Sequence, residues 1–543
     1  MRKIVSICLT AMLFACNNKE KADLLIYNAT VYTVDSAFTI TEAIAMANGK
    51  ILATGTSEAL KLQYQANQEI DASGQFIYPG FIDAHAHFFN YGLSLQTVDL
   101  TGTTSWNEIL EKLKTFAATH TEGWLTGRGW DQNDWPEKEF PTNEQLNTLF
   151  PDRPVLLRRI DGHAAIANQK ALELAGIHAG QTINGGSIET KNGQLTGLLI
   201  DNAIGLVGAK MPRATMHQVQ DALLQAQANC FAVGLTTIDD CGLDFDEIEA
   251  IDSLQQAGLL KMRIYALLSD DVKNYDYMTR KGIIKNDRLH VRGFKVYADG
   301  ALGSRGACLL QPYTDRPGWN GFLLSQPSHF DSVARILYDK DLQMCTHAIG
   351  DSGNRMILHT YAKYLKDKND KRWRVEHAQV INKNDLNLFG RYSIIPSVQP
   401  THATSDMYWA ADRLGHGRVK GAYAYKELLQ QNGWLPLGTD FPVEDIAPVK
   451  TFYAAVVRKD AKGYPEGGYQ PENALSREAA LRGMTIWAAR SNFEEKEKGS
   501  LEKGKWADLV ITGSDLMKAP DNELLSIRVL ATYVAGEKVF EQK

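Results

Sequence analysis

The strongest constraint on the fold is a series of eight short apolar segments between residues 80 and 442, mostly separated by stretches long enough for a helix. They end in GFIDAHAHF, VGLTTIDD, KMRIYALLSD, VRGFKVYADG, LQMCTHAIGD, RWRVEHAQV, YSIIPSVQP and WLPLGTDFP. Short apolar runs bounded by turn residues are the pattern of buried strands, and their alternation with helical stretches builds βαβ units. Eight such units fit a (β/α)8 TIM-type barrel, whose reactive groups gather at the carboxyl ends of the strands. The barrel is predicted to span 81–496. Its first and second strands lie too far apart for one crossover, so residues from about 100 to 230 are predicted to hold an inserted subdomain.

The flanks have a different texture. LLIYNATVYTVD and AIAMANGKILATG, within 23–80, are apolar runs broken by Asn, Asp and Gly, which is hairpin chemistry. GKWADLVITG and RVLATYVAGEKVF repeat that texture within 497–543. A small β-sandwich domain formed by both termini is therefore expected. Ahead of it, Arg2 and Lys3 precede an apolar run from Ile4 to Ala15, too short to span a bilayer but suited to a signal-peptide core. Leu13-Phe14-Ala15-Cys16 matches the bacterial lipobox. The expectation is a signal peptide over 1–16 and a lipid anchor on Cys16 that tethers a soluble body to the bacterial cell envelope, outside the cytoplasm. The alternative is an ordinary secretory signal with an incidental cysteine.

Of the remaining cysteines past the signal, Cys230, Cys241, Cys308 and Cys345 form no CxxC pair, so no thiolate zinc site is indicated. A net charge of −6 gives no basic footprint for nucleic acid. The partner to expect is a small-molecule substrate; a homo-oligomer stays open.

Strand residues two apart share a face, so His85 and His87 can point together into the barrel mouth and grip one metal ion. Alone, an HxH pair is a weak signal. It gains weight from what stands at later strand ends: His347 at the fifth, His377 at the sixth and Asp440 at the eighth, with Lys295 in the fourth. Imidazoles and a carboxylate at one rim suit Zn²⁺ or a similar divalent ion. The competing account is a set of separately satisfied polar residues. His290, at the start of its strand, stands at the wrong end for catalysis.

GFIDAHAHF, FKVYADGALGSR, THAIGD, VEHAQ and GTDFP resemble the signature segments of amidohydrolase family 3, the YtcJ-like group that includes N-substituted formamide deformylases. The resemblance extends to GWLTGRGWDQNDWP, LLRRIDGHAAIANQKAL and GSLEKGKWADLVI, and so covers nearly all of the chain after the signal. It implies a binuclear site. His85, His87 and Asp440 would hold one metal, His347 and His377 the other, with Lys295 carboxylated to a bridging carbamate. The alternative for Lys295 is an unmodified ammonium paired with Asp299 or helping to bind substrate, and then a single metal on His85, His87 and Asp440. The reaction implied is hydrolysis of a carbon–nitrogen bond by a metal-activated hydroxide, with Asp440 as general base. An ester, lactone or phosphoester substrate, or an inactive binding barrel, are the competing readings.

Substrate-facing candidates follow from position. His163, in RRIDGHAA, either donates a hydrogen bond to a developing oxyanion or is structural. Arg305, in GALGSR, either binds an anionic group or pairs with Asp299. Trp130 and Asp131, in RGWDQNDW, read as a lid, with core packing the alternative for the indole. His402, past the seventh strand, faces the mouth without a metal role.

Overall fold

The structure is a computed structural model and describes residues 19–543. The lipobox and Cys16 lie outside the described residues.

Seven parallel strands form the barrel wall in chain order: Phe81–Ala86, Leu235–Leu243, Arg263–Ser269, Leu289–Tyr297, Gln343–Ala348, Arg374–His377 and Ile395–Ser397. The eighth expected strand is not a regular ladder, because Pro436 and Gly438 interrupt it. It still closes the ring. Gly438 N–H donates to Val398 O on one side, while on the other Ala84 N–H donates to Leu437 O and Asp440 N–H to His85 O at 2.7 Å. Asp83, two residues before His85, clamps the closure by accepting from Thr439 N–H (3.0 Å) and Thr439 Oγ1 (2.6 Å). A Cβ at Gly438 would lie 2.5 Å from His85 N, so only glycine permits this approach.

Every residue of the first strand is buried, as barrel strands covered on both faces must be. Alternation divides the faces. Ile82 and Ala84 pack outward on Ala488 and Ala489 of the helix Ile486–Ser491, which leaves Asp83 and His85 for the interior. The helix Met216–Ala232 contributes Leu223, Ala226, Cys230 and Phe231 to the main barrel cluster. The insertion's own secondary structure therefore ends at Gly208, short of the expected 230.

Between the first two barrel strands a six-stranded sheet runs from Val98 to Asp201. Outside the barrel are two more sheets. One uses only residues of the amino-terminal region, Glu20–Asp71; the other adds Leu509–Thr512, Val529–Val534 and Glu537–Glu541 from the carboxyl terminus. A single apolar cluster draws Leu24, Ile26 and Ile44 from the first and Ile77, Leu509 and Tyr533 from the second. Cys230, Cys241, Cys308 and Cys345 are all free thiols.

Candidate metal centre

His85 ends the inward face of the first strand with its side chain fully buried. Its Nδ1 lies 2.6 Å from Glu376 Oε2, which directs Nε2 into the barrel mouth. His377 is oriented the same way: its Nδ1 lies 2.7 Å from Gln399 Oε1. A ring nitrogen tied to a carboxylate or amide oxygen is how metal-binding histidines are commonly held. Asp440 completes the group. One ligand atom from each of His85, His377 and Asp440 lies within 4.8 Å of the other two, and all three residues are buried.

The polar atoms here are poorly matched to one another. His87 Nε2 comes within 3.1 Å of Asp440 Oδ1 and His85 Nε2 within 3.6 Å, yet Oδ1 accepts no hydrogen bond. Burial opposes the Asp440 charge, but the imidazoles of His87 and His85 hold the carboxyl well below its usual range. Burial, with Lys295 beside it, pushes His85 down to about 4. Burial likewise drives His347 and His377 well below the ordinary histidine value. The centre thus gathers imidazole nitrogens around a carboxylate oxygen that accepts no hydrogen bond, a donor set that suits a divalent cation. Backbone geometry adds to this: His377 (φ 71°) and Asp440 (φ 63°) sit in the left-handed region, a conformation that costs a non-glycine residue energy and clusters at functional sites.

Lys295 is fully buried, with Nζ 3.0 Å from His85 Nε2 and no carboxylate oxygen within 4.0 Å among the described residues. The expected alternative of a Lys295–Asp299 pair does not hold. Asp299 spends its oxygens on the backbone N–H groups of Cys308, Ile349 and Gly350, at 2.8–3.0 Å. His347 stacks edge-on against His377, ring centroids 4.6 Å apart, but turns Nε2 towards Gly300 O at 3.4 Å, which leaves Nδ1 for any ligand.

The insertion delivers His163 to the same centre. Its ring lies 4.9 Å from that of His347, and its Nδ1 is 2.5 Å from Asp201 Oδ1 at the end of the sheet's last strand. Asp201 against burial raises the His163 pKa. His402 packs its ring 5.9 Å from that of His377, with Nε2 3.8 Å from Asp440 Oδ2 and 4.0 Å from Glu444 Oε1.

Other candidates do not reach the mouth. Trp130 is fully buried in the insertion core, its indole N–H donating to Leu157 O, so it is not a lid. Asp131 is held in an ion pair with Arg159 and caps the following turn through Asn133 N–H. Arg305 is matched by Asp315 at 2.8 Å rather than by Asp299 or a free anion. His290 is buried at the start of the fourth strand, 3.4 Å from Glu494. The sequence reading missed Glu376, Gln399 and Asp201. Glu376 adjoins His377 in VEHAQ, but a carboxylate beside a histidine in sequence points to the opposite strand face, so only the barrel reveals that it serves His85.

A parallel barrel with histidines and an aspartate converging at its carboxyl rim defines a metal-binding enzyme scaffold. Residues 68–540 match the amidohydrolase family, and the chain belongs to it. Among curated relatives, Protein LONG AFTER FAR-RED 3 of Arabidopsis thaliana is 32% identical over 96% of this chain and 92% of its own length. The N-substituted formamide deformylase of Arthrobacter pascens is 26% identical over 96% of this chain and 99% of its own. A solved structure from Pyrococcus horikoshii, described as an uncharacterized metal-dependent hydrolase, aligns with a TM-score of 0.75 at 27% identity. That alignment covers 92% of this chain and 99% of the other.

Proposed function

We propose that this protein is a metal-dependent hydrolase that cleaves a carbon–nitrogen bond in a non-peptide amide or formamide. The observation that carries the reading is the buried meeting of His85, His377 and Asp440, where an unpartnered carboxylate oxygen faces imidazole nitrogens. The activity named for the Arthrobacter pascens relative supports the choice of bond. His85, His87 and Asp440 would hold one Zn²⁺-like ion, and His347 and His377 a second, with Lys295 as a carbamate between them. Such ions supply Lewis acidity, which lowers the pKa of water and polarises a carbonyl.

The chain's own residues do the rest. Asp440 Oδ2, free of the crowding around Oδ1, takes the proton from the attacking water and returns it to the departing amine. His163, held by Asp201, donates to the oxygen that gains charge. Glu376 and Gln399 keep His85 and His377 in the tautomer that presents Nε2.

Two structural readings accompany this. The two outer sheets form one composite β-sandwich domain, supported by their shared apolar cluster. Cys16 carries a lipid anchor at the bacterial cell envelope, a reading that Cys16→Ser would overturn if lipid labelling persisted.

The main test is metal analysis and a hydrolysis screen over N-formyl, N-acyl, cyclic amide and ester compounds. Zinc-loaded protein should hold about two ions per chain. His85→Ala with His87→Ala should remove metal and hydrolysis together; hydrolysis that survives sinks the assignment.

A further inference from the structure

The carboxyl-terminal sheet does not close fully onto the barrel. Between them lies a cavity of about 280 Å³, at the low end of small-molecule pockets. The barrel side supplies Phe81 and Met484, the helix Pro448–Val457 supplies Phe452, and the sheet supplies Val529 and Phe540. Phe81 opens the first strand at the end opposite His85, and none of the candidate metal ligands lines the cavity. Protein interiors hold few voids larger than a water molecule. A gap of this size forfeits contacts on every wall, and an apolar occupant restores them. The hydroxyl on the wall, Thr512 Oγ1, already donates to Ser514 O at 2.8 Å. A polar group buried here would lose water without gaining a partner.

The opening has another character. Arg528, which is exposed, and Gln542, which is half-buried, line the cavity where it meets solvent. Among the described residues neither side chain makes a hydrogen bond, and no carboxylate oxygen lies within 4.0 Å of the Arg528 guanidinium. No Asp or Glu lines the cavity, so Arg528 alone sets the sign of its charge. An exposed arginine needs no anion for its own sake. Its meaning here comes from standing beside an apolar chamber, a pairing that fits a ligand with an apolar body and an anionic head. A guanidinium fork matches a carboxylate with two parallel N–H···O bonds.

We propose that this cavity binds a medium-chain fatty acid, with the alkyl chain between barrel and carboxyl-terminal sheet and the carboxylate on Arg528 and Gln542. The site is separate from the metal centre and does not depend on the reaction assigned there.

The experiment is calorimetric titration of the zinc-loaded full chain with decanoate, decanol and decylamine, each kept below the concentration at which it aggregates. Decanoate should bind saturably, with the negative heat-capacity change of apolar burial. It should bind about 5-fold more tightly than decanol, the scale of an exposed ion pair, and lose that margin in high salt. Decylamine should bind more weakly than either. Arg528→Gln should bring decanoate to the level of decanol and leave decanol unchanged; Arg528 has no partner to lose, so this variant should fold as the wild type does. Val529→Phe, which fills the cavity, should weaken decanoate and decanol alike by about 10-fold or more. Where it does not fold, Val233→Phe carries the same comparison from the barrel side. Decanoate binding that survives the filling variant, as binding at the metal centre would, overturns the proposal. So does an affinity for decanoate no greater than that for decanol. Dodecyl phosphate that displaces dodecanoate at lower concentration than dodecanoate displaces itself overturns the carboxylate head. Light scattering reads the remaining occupant: a dimer that Val529→Phe dissolves, with no decanoate bound, makes the cavity an interface between copies of this chain and overturns the fatty-acid site.

Discussion

Two buried polar clusters share the barrel interior, and they differ in how their atoms are matched. Away from the mouth, Arg374 donates to Asp239 Oδ2 at 2.8 Å, Asn492 Oδ1 at 3.0 Å and Ala84 O at 3.2 Å, while Tyr265 and Gln343 bond to each other beside it. Most donors there meet acceptors, although Arg374 Nε and Glu376 Oε1 stay without a hydrogen-bond partner. At the rim, His85, His87, His377 and Asp440 converge around Asp440 Oδ1, which accepts no hydrogen bond, and the nearest ammonium, Lys295, turns to His85 Nε2 instead. Burial alone therefore does not mark a functional site, because both clusters are buried. What separates them is the balance of charge: around Arg374 a cation meets the Asp239 carboxylate directly, whereas Asp440 at the rim has imidazoles about it and, among the described residues, no cation in contact. Glu376 joins the two, with Oε2 on His85 and Oε1 3.8 Å from Arg374 Nε. Burial raises its carboxyl, but His85 and Arg374 prevail and bring it down to about 2.

The contrast can be broken by one substitution in each cluster. Arg374→Met leaves Asp239 buried without its cation, and breaking a buried pair costs about 3–5 kcal/mol. Urea denaturation should show that loss in the metal-free protein. Asp440→Asn should do the opposite. It should lower hydrolysis by about 10³-fold or more, the scale expected of a lost proton-transfer group. The urea midpoint of its metal-free form should stay close to wild type, because no donor loses a partner. Equal destabilisation by both substitutions would erase the distinction.

The candidate ligands were legible in the sequence because their signal is local: an i, i+2 pair at one strand end and single polar residues closing later apolar runs. The second layer was not, because it depends on register. Arg374 and Glu376 share a face with each other and not with His377, and only barrel closure brings Glu376 to His85. Trp130 shows how one irregularity defeats alternation. Counted by twos it would share the face of Arg128. A register shift between the two residues, with Gly129 at φ 114°, turns the indole into the core instead.

Glu376 offers a finer test of the link between the clusters. Glu376→Gln keeps an oxygen for His85 Nδ1–H but removes the charge that raises the ligand's basicity. Metal affinity should weaken about 10–100-fold, the usual effect of altering such a supporting group. Competition against a chelator of known affinity measures it. Unchanged affinity would mean that the Glu376 charge does not tune His85 and that the residue only holds the ring in place.

The smallest effect is a pH dependence that isolates His85. With its folded value near 4 against an ordinary 6.5, the unfolded chain takes up a proton in that window and the folded protein does not. Stability attributable to this imidazole is therefore intact above about 6.5 and is lost as pH falls towards 4, because the unfolded state binds more protons. Several buried carboxyls titrate nearby with the opposite sign, Asp83 at about 7 among them, so the wild type alone does not report on His85. The difference between wild type and His85→Asn does, since asparagine has no proton to gain. In metal-free protein, the stability gap between the two should narrow as pH falls from 7.5 to 5. It should do so by about 2 kcal/mol, at about 1.4 kcal/mol per pH unit below the ordinary value. Measured at pH 5 or above, the difference avoids the range where Glu376 begins to titrate in the unfolded chain. A gap that stays constant across that range would mean His85 is not held neutral by burial and the neighbouring Lys295.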